Sequence, residues 1–305
     1  MIKNIFYRLQ YLGARLLWLP FQIIPDRRVH GFGAALGWLW FWCAARRRGT
    51  AVAHILAARV AADPRVARRI ACRAAMNFTG HIFEAARFNR AVGNAPWHTY
   101  AGAANMRDGS LELLQQPGVP VLVLCAHLGA WEVGTHLAAA FKPVTAVART
   151  LNNPHVQKFL SGGVLRGHIE IIPKKRGITP DVIRRWTRDG RVLGLVCDQH
   201  AGRQGIWVDF MGRPASTFTS PARLHLKTGH PIVVGAFIRV APFRYEAHAS
   251  VLRFAPTGDH EADVRACTEE INRRFEALIR RFPEQYLWSH RRWRGPPAER
   301  VKDEG

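Results

Sequence analysis

The sequence predicts an α/β protein: a mixed, mostly parallel central sheet flanked by helices, preceded by an N-terminal helical segment that associates with a membrane. Three observations carry this reading. From residue 100 onward, short apolar runs alternate with helix-length amphipathic stretches, the pattern of strands joined by crossover helices. The first fifty residues are apolar but punctuated by arginines. A chain of 305 residues that is 48% hydrophobic can also bury a substantial core.

The elements follow in order. In residues 4–24, Arg8, Arg15 and Gln22 recur every seven positions and line one helical stripe, while Ile5, Phe6, Leu9, Leu12, Leu16 and Leu19 cover the rest. This gives an amphipathic helix with a broad apolar face, expected to kink or end at Pro20. A second apolar block, Gly31 to Ala45, holds Trp38, Leu39, Trp40, Phe41 and Trp42 between Arg27-Arg28 and Arg46-Arg47-Arg48. A helix of that length spans about 22 Å, short of the roughly 30 Å hydrocarbon core. Tryptophans suit the bilayer interface and arginines suit anionic headgroups, so a monotopic anchor is favoured over a spanning helix.

Residues 51–92 read as helical with a break at Asp63-Pro64, and Phe78, Ile82, Phe83 and Ala86 form an apolar face. Helices are expected at 107–116, 131–140, 154–166, 178–189, 219–229 and 261–282. Strands are expected at 119–126, Val144–Ala148, Ile169–Pro173, Val192–Cys197, Ile232–Ile238 and Tyr245–Leu252. The predicted organisation is a membrane-associating segment over 1–50, an α/β domain over 51–293 and a flexible polar tail over 294–305, with no internal repeat.

Charge narrows the function. Formal net charge is +22, from 44 basic and 22 acidic residues, and 37 of the basic residues are arginine. Such a surface favours nucleic acid, anionic membranes or acidic partner proteins. No helix-turn-helix, zinc-finger or RRM signature is present and the basic residues are dispersed, which argues against nucleic acid. Cys43, Cys72, Cys125, Cys197 and Cys267 are scattered without metal-ligand spacing, so a reducing compartment, no disulfide and no metal are expected. The N-terminus lacks the cleavage region of an ordinary secretory signal.

Polar residues gather where strands are expected to end, the place where open α/β sheets build their sites. After 119–126 comes His127, with Glu132 five positions on; after 144–148 comes Arg149; after 192–197 come Asp198 and Gln199. On one continuous helix His127 and Glu132 would not face each other. If His127 sits in the strand-to-helix turn, Glu132 in the first helical turn reaches back to its ring. A carboxylate on one ring nitrogen fixes the tautomer and leaves the other nitrogen able to take a proton from a hydroxyl. No GxSxG nucleophile motif is present to support a hydrolase.

The segment His127-Leu128-Gly129-Ala130-Trp131-Glu132 resembles the HX4(D/E) motif of the lysophospholipid-acyltransferase superfamily, in its lipid A late acyltransferase branch. Further blocks match in the family's order: Ala148-Arg149-Thr150-Leu151-Asn152-Asn153-Pro154, Leu195-Val196-Cys197-Asp198-Gln199, Val208 to Thr217, and Pro283-Glu284-Gln285-Tyr286-Leu287-Trp288-Ser289-His290-Arg291-Arg292-Trp293. The resemblance covers essentially the whole chain. It implies transfer of a fatty acyl group from an acyl-carrier-protein thioester to a hydroxyl of a lipid A precursor, at the cytoplasmic face of a bacterial inner membrane. The alternative is the same chemistry on another glycolipid or phospholipid, such as a phosphatidylinositol mannoside, with acyl-CoA as donor. On either reading His127 and Glu132 form the general-base dyad, Arg149 binds a phosphate, and Asp198 and Gln199 belong to the substrate-binding surround. The thioester is a co-substrate and no cofactor is implied. The expected partners are an acyl carrier protein, a lipid acceptor and an anionic membrane surface.

Overall fold

In the computed structural model, residues 2–92, 95–106, 108–148, 153–155, 169–173 and 177–295 are described. Four helices come first: α1 (Ile2–Ile23), α2 (Asp26–Cys43), α3 (Ala45–Ala57) and α4 (Pro64–Val92). The α1 helix continues past Pro20 to Ile23, so it does not end at that proline. Asp63 opens α4 by accepting hydrogen bonds from the Arg65 and Val66 amides, with Pro64 at the first helical position.

The α2 helix is laid tightly along α4. A methyl group at Gly37 would stand 2.5 Å from the Ala75 carbonyl oxygen, and one at Gly33 would stand 2.9 Å from Gly80 Cα. Only glycine allows the two backbones this close. Buried Arg87 of α4 ties in the preceding segment, donating to the Ile24 carbonyl and to Asp26, and also to the Phe21 carbonyl.

The strands and remaining helices alternate as expected: β1 (Ala101–Asn105), α5 (Ser110–Gln115), β2 (Val121–Gly129), α6 (Trp131–Ala139), β3 (Val144–Ala148), β4 (Ile169–Pro173), α7 (Pro180–Arg188), β5 (Val192–Val196), β6 (Ile206–Phe210), β7 (Arg213–Thr217), α8 (Ser220–Thr228), β8 (Ile232–Ala241), β9 (Arg244–Leu252) and α9 (His260–Arg281). Seven strands form one sheet in the order β1-β9-β8-β2-β5-β3-β4, and β6 and β7 form a separate hairpin. All pairings in the large sheet are parallel except β8 with β9. The mixed, mostly parallel sheet is therefore the one the sequence predicts. The β1 strand and the β6–β7 hairpin were not anticipated. The expected helix over 154–166 and the end of the expected tail lie largely outside the described residues.

Alternation along the central strands fills both faces. Leu122, Leu124, Leu193, Leu195, Ile232 and Val234 pack with Val264, Cys267, Ile271 and Phe275 of α9 and with Ile55, Ala67 and Ala71 from α3 and α4. Val121, Val192 and Val233 pack on the opposite face with Val133 and Leu137 of α6. Buried Glu84 staples α4 to the β8–β9 hairpin, accepting from Arg239 Nε, the Phe243 amide and, at 2.9 Å, the Tyr245 hydroxyl. A fully satisfied buried carboxylate of this kind fixes the helix against the sheet.

No described helix is long and apolar enough to cross a membrane. The first two helices nonetheless expose a run of large apolar side chains: Phe6, Leu9, Leu12 and Leu16 on α1, and Leu36, Trp38, Leu39, Trp40 and Trp42 on α2.

Candidate active site

The site is built where two neighbouring parallel strands end. Pairing of β2 with β5 places Cys125 opposite Val196. Two residues further along each chain stand His127 and Asp198, and the imidazole Nδ1 lies 2.6 Å from Asp198 Oδ1. His127 is itself within β2, which runs to Gly129, rather than in the turn. Gly129 then makes the bend into α6, with φ at +66° and no room for a Cβ, which would meet the Phe237 carbonyl oxygen at 2.2 Å.

The carboxylate seated on Nδ1 is thus that of Asp198, where the sequence reading had placed Glu132. The reason is register: adjacent parallel strands deliver their side chains side by side, whereas Glu132 is the second residue of α6. Asp198 is 2% exposed. Burial alone would raise its carboxyl, but the charge of His127, hydrogen bonds from His127 and the charge of Arg292 together hold it below the usual range. It remains an anion able to accept Nδ1–H and support an imidazolium.

Glu132 is half-buried, with its Oε2 sealed from solvent, and feels the charge of His127. Burial raises its carboxyl to about 7, against a bond from its own backbone amide and the attraction of His127. Its Oε2 has no hydrogen-bond partner among the described residues. Two carboxylates with opposite environments therefore act on one imidazole, one held ionised and the other poised near neutrality.

Gln199 Nε2 stands 3.2 Å from His127 Nε2. With the Nδ1 proton directed at Asp198, Nε2 is the acceptor and the Gln199 amide is the donor. His127 keeps a fifth of its side-chain surface open to solvent. Trp131 packs edge-on against it at 5.1 Å, and Phe78 of α4 stacks on Trp131 at 5.8 Å. Arg149 lies outside the described residues.

The closing segment contributes groups whose roles the sequence reading did not distinguish. The Leu287 amide donates to the His127 carbonyl at 3.0 Å, and Leu128 bridges to Tyr286. The buried Tyr286 phenol is pushed well above its ordinary value by burial, by the Asp198 charge and by a hydrogen bond to it. Buried Arg292 donates to the Ser216 carbonyl and to Thr217 Oγ1 of β7. Those bonds anchor the segment behind Asp198. The motif around 283–293 marked this stretch in the sequence, but its placement under β2 needed the fold.

The neighbouring thiols offer no nucleophile. Burial, with the charges of Asp198 and Glu132, raises Cys125 to about 12, and Cys197 is raised well above its ordinary value. No cluster of three or more potential metal ligands occurs among the described residues. An apolar cleft between α2, α4 and the closing segment is lined by Trp40, Phe41, Ala74, Ala75, Phe78 and Trp288.

A mostly parallel α/β sheet that carries an aspartate-bound histidine at the carboxyl ends of two central strands has the groups that could take a proton from a hydroxyl. The chain belongs to the bacterial lipid A biosynthesis acyltransferase family, whose sequence model matches residues 3–295. It is 26% identical over 181 residues to a phosphatidylinositol mannoside acyltransferase of Mycobacterium tuberculosis (strain ATCC 25618 / H37Rv), covering 58% of this chain and 55% of that protein. It is 25% identical over 209 residues to the lipid A biosynthesis palmitoleoyltransferase of Escherichia coli (strain K12), covering 66% of this chain and 63% of that protein. A lipid A biosynthesis acyltransferase of Shigella flexneri matches to the same extent. These alignments span a little over half to under two thirds of the relatives' own lengths.

Proposed function

We propose that the protein is an O-acyltransferase that moves a fatty acyl chain from an acyl-carrier-protein thioester to a hydroxyl of a lipid A precursor. The observation that carries this reading is the His127–Asp198 pair, 2.6 Å apart at the end of two parallel strands, with the other ring nitrogen facing Gln199. The acceptor hydroxyl displaces the Gln199 amide and gives its proton to Nε2 as its oxygen attacks the thioester carbonyl. Asp198 stabilises the imidazolium. Collapse of the tetrahedral intermediate expels the thiolate, which takes the proton back from Nε2, leaving ester and thiol. Glu132 adds to the charge arrangement around the ring, and its raised carboxyl limits the negative charge stored there before the proton moves.

Arg149, on the strength of the resemblance, binds a phosphate of acceptor or donor. No cofactor enters the reaction. The exposed leucines and tryptophans of α1 and α2 support monotopic attachment to the cytoplasmic face of an inner membrane. The excess of basic charge suits an acidic carrier protein and anionic lipid.

The match to a phosphatidylinositol mannoside acyltransferase favours one second reading: the same chemistry on another glycolipid with acyl-CoA as donor. The test is incubation of the purified full chain with lipid A precursor or phosphatidylinositol mannoside, and with acyl-carrier-protein or CoA thioesters, read by mass spectrometry. Acylated lipid A precursor formed from the carrier-protein thioester is the expected product. Fatty acid released with neither lipid acylated would overturn the transferase reading.

A further inference from the structure

Four exposed arginines from opposite ends of the chain converge beside the site. Arg46 and Arg47 lie in the first turn of α3, and Arg291 and Arg294 lie in the closing segment. Arg47 Nη1 donates to the Ser289 carbonyl at 3.1 Å, across 242 residues of sequence, and so clamps the two segments together. Among the described residues none of the four has an acidic partner. Some other exposed arginines do pair, as Arg73 does with Glu284 and Arg223 with Glu261. The cluster is tight enough for its members to feel one another: Arg294, Arg46 and Arg47 hold the Arg291 guanidinium below its ordinary range. The first turn of α3 carries no acidic residue to offset this charge. Unrelieved repulsion among like charges opposes folding, and a bound anion relieves it.

Its surroundings say what kind of anion. On one side α2 ends with exposed Trp38 and Trp42, and Arg48 packs over Trp42 at 5.4 Å while donating to its carbonyl. On the other side is His290. It accepts from the His200 amide at 3.3 Å and feels Asp198 and His127 as well as Arg294. The cluster therefore stands between a bilayer-type aromatic edge and the base. We propose that Arg46, Arg47, Arg291 and Arg294 form a receptor for a phosphate monoester on the headgroup of the acceptor lipid, holding that headgroup while its hydroxyl reaches His127. This rests on the acyltransferase reading for its substrate. Guanidinium forks match phosphate oxygens in geometry and charge.

The experiment uses the full chain and two double variants, Arg291→Gln/Arg294→Gln and Arg46→Gln/Arg47→Gln, checked for native thermal unfolding. In the first arm, binding is measured to phosphatidylcholine vesicles doped with phosphatidic acid, a phosphate monoester, or with phosphatidylglycerol at matched surface charge. The wild type is expected to prefer phosphatidic acid by about tenfold, the worth of a single charge-assisted hydrogen bond, and the variants to lose that preference. Equal binding of wild type to both vesicles, or an unchanged preference in the variants, would overturn the receptor. In the second arm, KM is measured for lipid A precursor before and after phosphatase treatment. The variants are expected to raise KM for the phosphorylated acceptor by about tenfold or more, with KM for the thioester unchanged. A rise in thioester KM alone would assign the cluster to the donor and overturn the proposal. The vesicle arm needs no turnover, so it judges the receptor even if no lipid A precursor is acylated, a result that would defeat only the functional reading.

Discussion

Asp198 Oδ1 and His127 Nδ1 are 2.6 Å apart because β2 and β5 are neighbours in register, not because the two residues are close in sequence. The pair is the mechanical centre of the proposed reaction. His127→Ala is expected to lower kcat by about 10²–10⁴, the range for loss of a general base. Asp198→Asn should keep the fold yet lower kcat by at least about 10², because the ring loses its anionic support and its tautomer is no longer fixed. Steady-state transfer assays on folded variants check both, and near-normal kcat in either would refute the assigned role.

Glu132 offers a pH test of stability. Burial raises its carboxyl to about 7 from an ordinary value of 4.5. The folded state therefore holds this proton more tightly than the unfolded state does. The resulting stability is fully present below pH 4.5 and is lost as pH rises through about 7. Glu132→Gln removes that dependence. The variant is expected to gain on the wild type between pH 5 and pH 8, by up to about 3 kcal/mol. Denaturant melts at the two pH values measure the difference, and parallel behaviour of the two proteins contradicts the raised carboxyl.

Gln199 occupies the basic nitrogen at rest, 3.2 Å from Nε2. An occupied base does not readily activate a stray water, so in the proposed reaction the amide would protect the thioester until an acceptor arrives. Gln199→Leu is expected to raise hydrolysis relative to transfer by about three- to tenfold, roughly 1 kcal/mol of lost competition. The ratio of free fatty acid to acyl lipid, read by mass spectrometry, reports it. An unchanged ratio removes the protective role and leaves the pair itself untouched.

The α2–α4 seam should be acid-labile. His81, 1% exposed with neither ring nitrogen bonded, is lowered to about 3 by burial, then by His30 and Arg239; its neighbour His30 is lowered to about 4, also mainly by burial. Both groups are depressed relative to 6.5. Their neutral burial is compatible with full stability above pH 6.5, and stability falls as pH drops from there toward 4 and below. His81→Leu is expected to flatten that limb, measured by thermal unfolding from pH 7 to pH 4.5. A limb as steep as that of the wild type would place the acid sensitivity elsewhere.

The sheet was largely legible in the sequence because its central strands are short apolar runs with turn residues between them. Val144–Ala148 and Ile169–Pro173 were read residue for residue. The β1 strand, Ala101–Asn105, escaped because alanine and glycine give it no apolar pattern. The β6–β7 hairpin escaped because Pro214 sits within β7, which a two-stranded edge tolerates. Of the candidate residues named from the sequence, His127, Asp198 and Gln199 are brought into hydrogen-bonding contact by the fold. What the sequence withheld was which carboxylate sits on which nitrogen. A helix start five residues away gave Glu132 a plausible reach, but only strand order can make Asp198 a neighbour. The pairing of α3 with the closing segment was hidden for the same reason.

The glycine seam between α2 and α4 has a mechanical corollary. Backbones in direct contact at Gly33 and Gly37 leave no slack for sliding. The same α4 carries Phe78, which stacks on Trp131, which in turn abuts His127. The exposed tryptophans of α2 and the imidazole are therefore linked through α4. If those tryptophans rest in a bilayer, the height of the imidazole above the lipid follows from the packing of α2 on α4, and the substrate must rise to meet it.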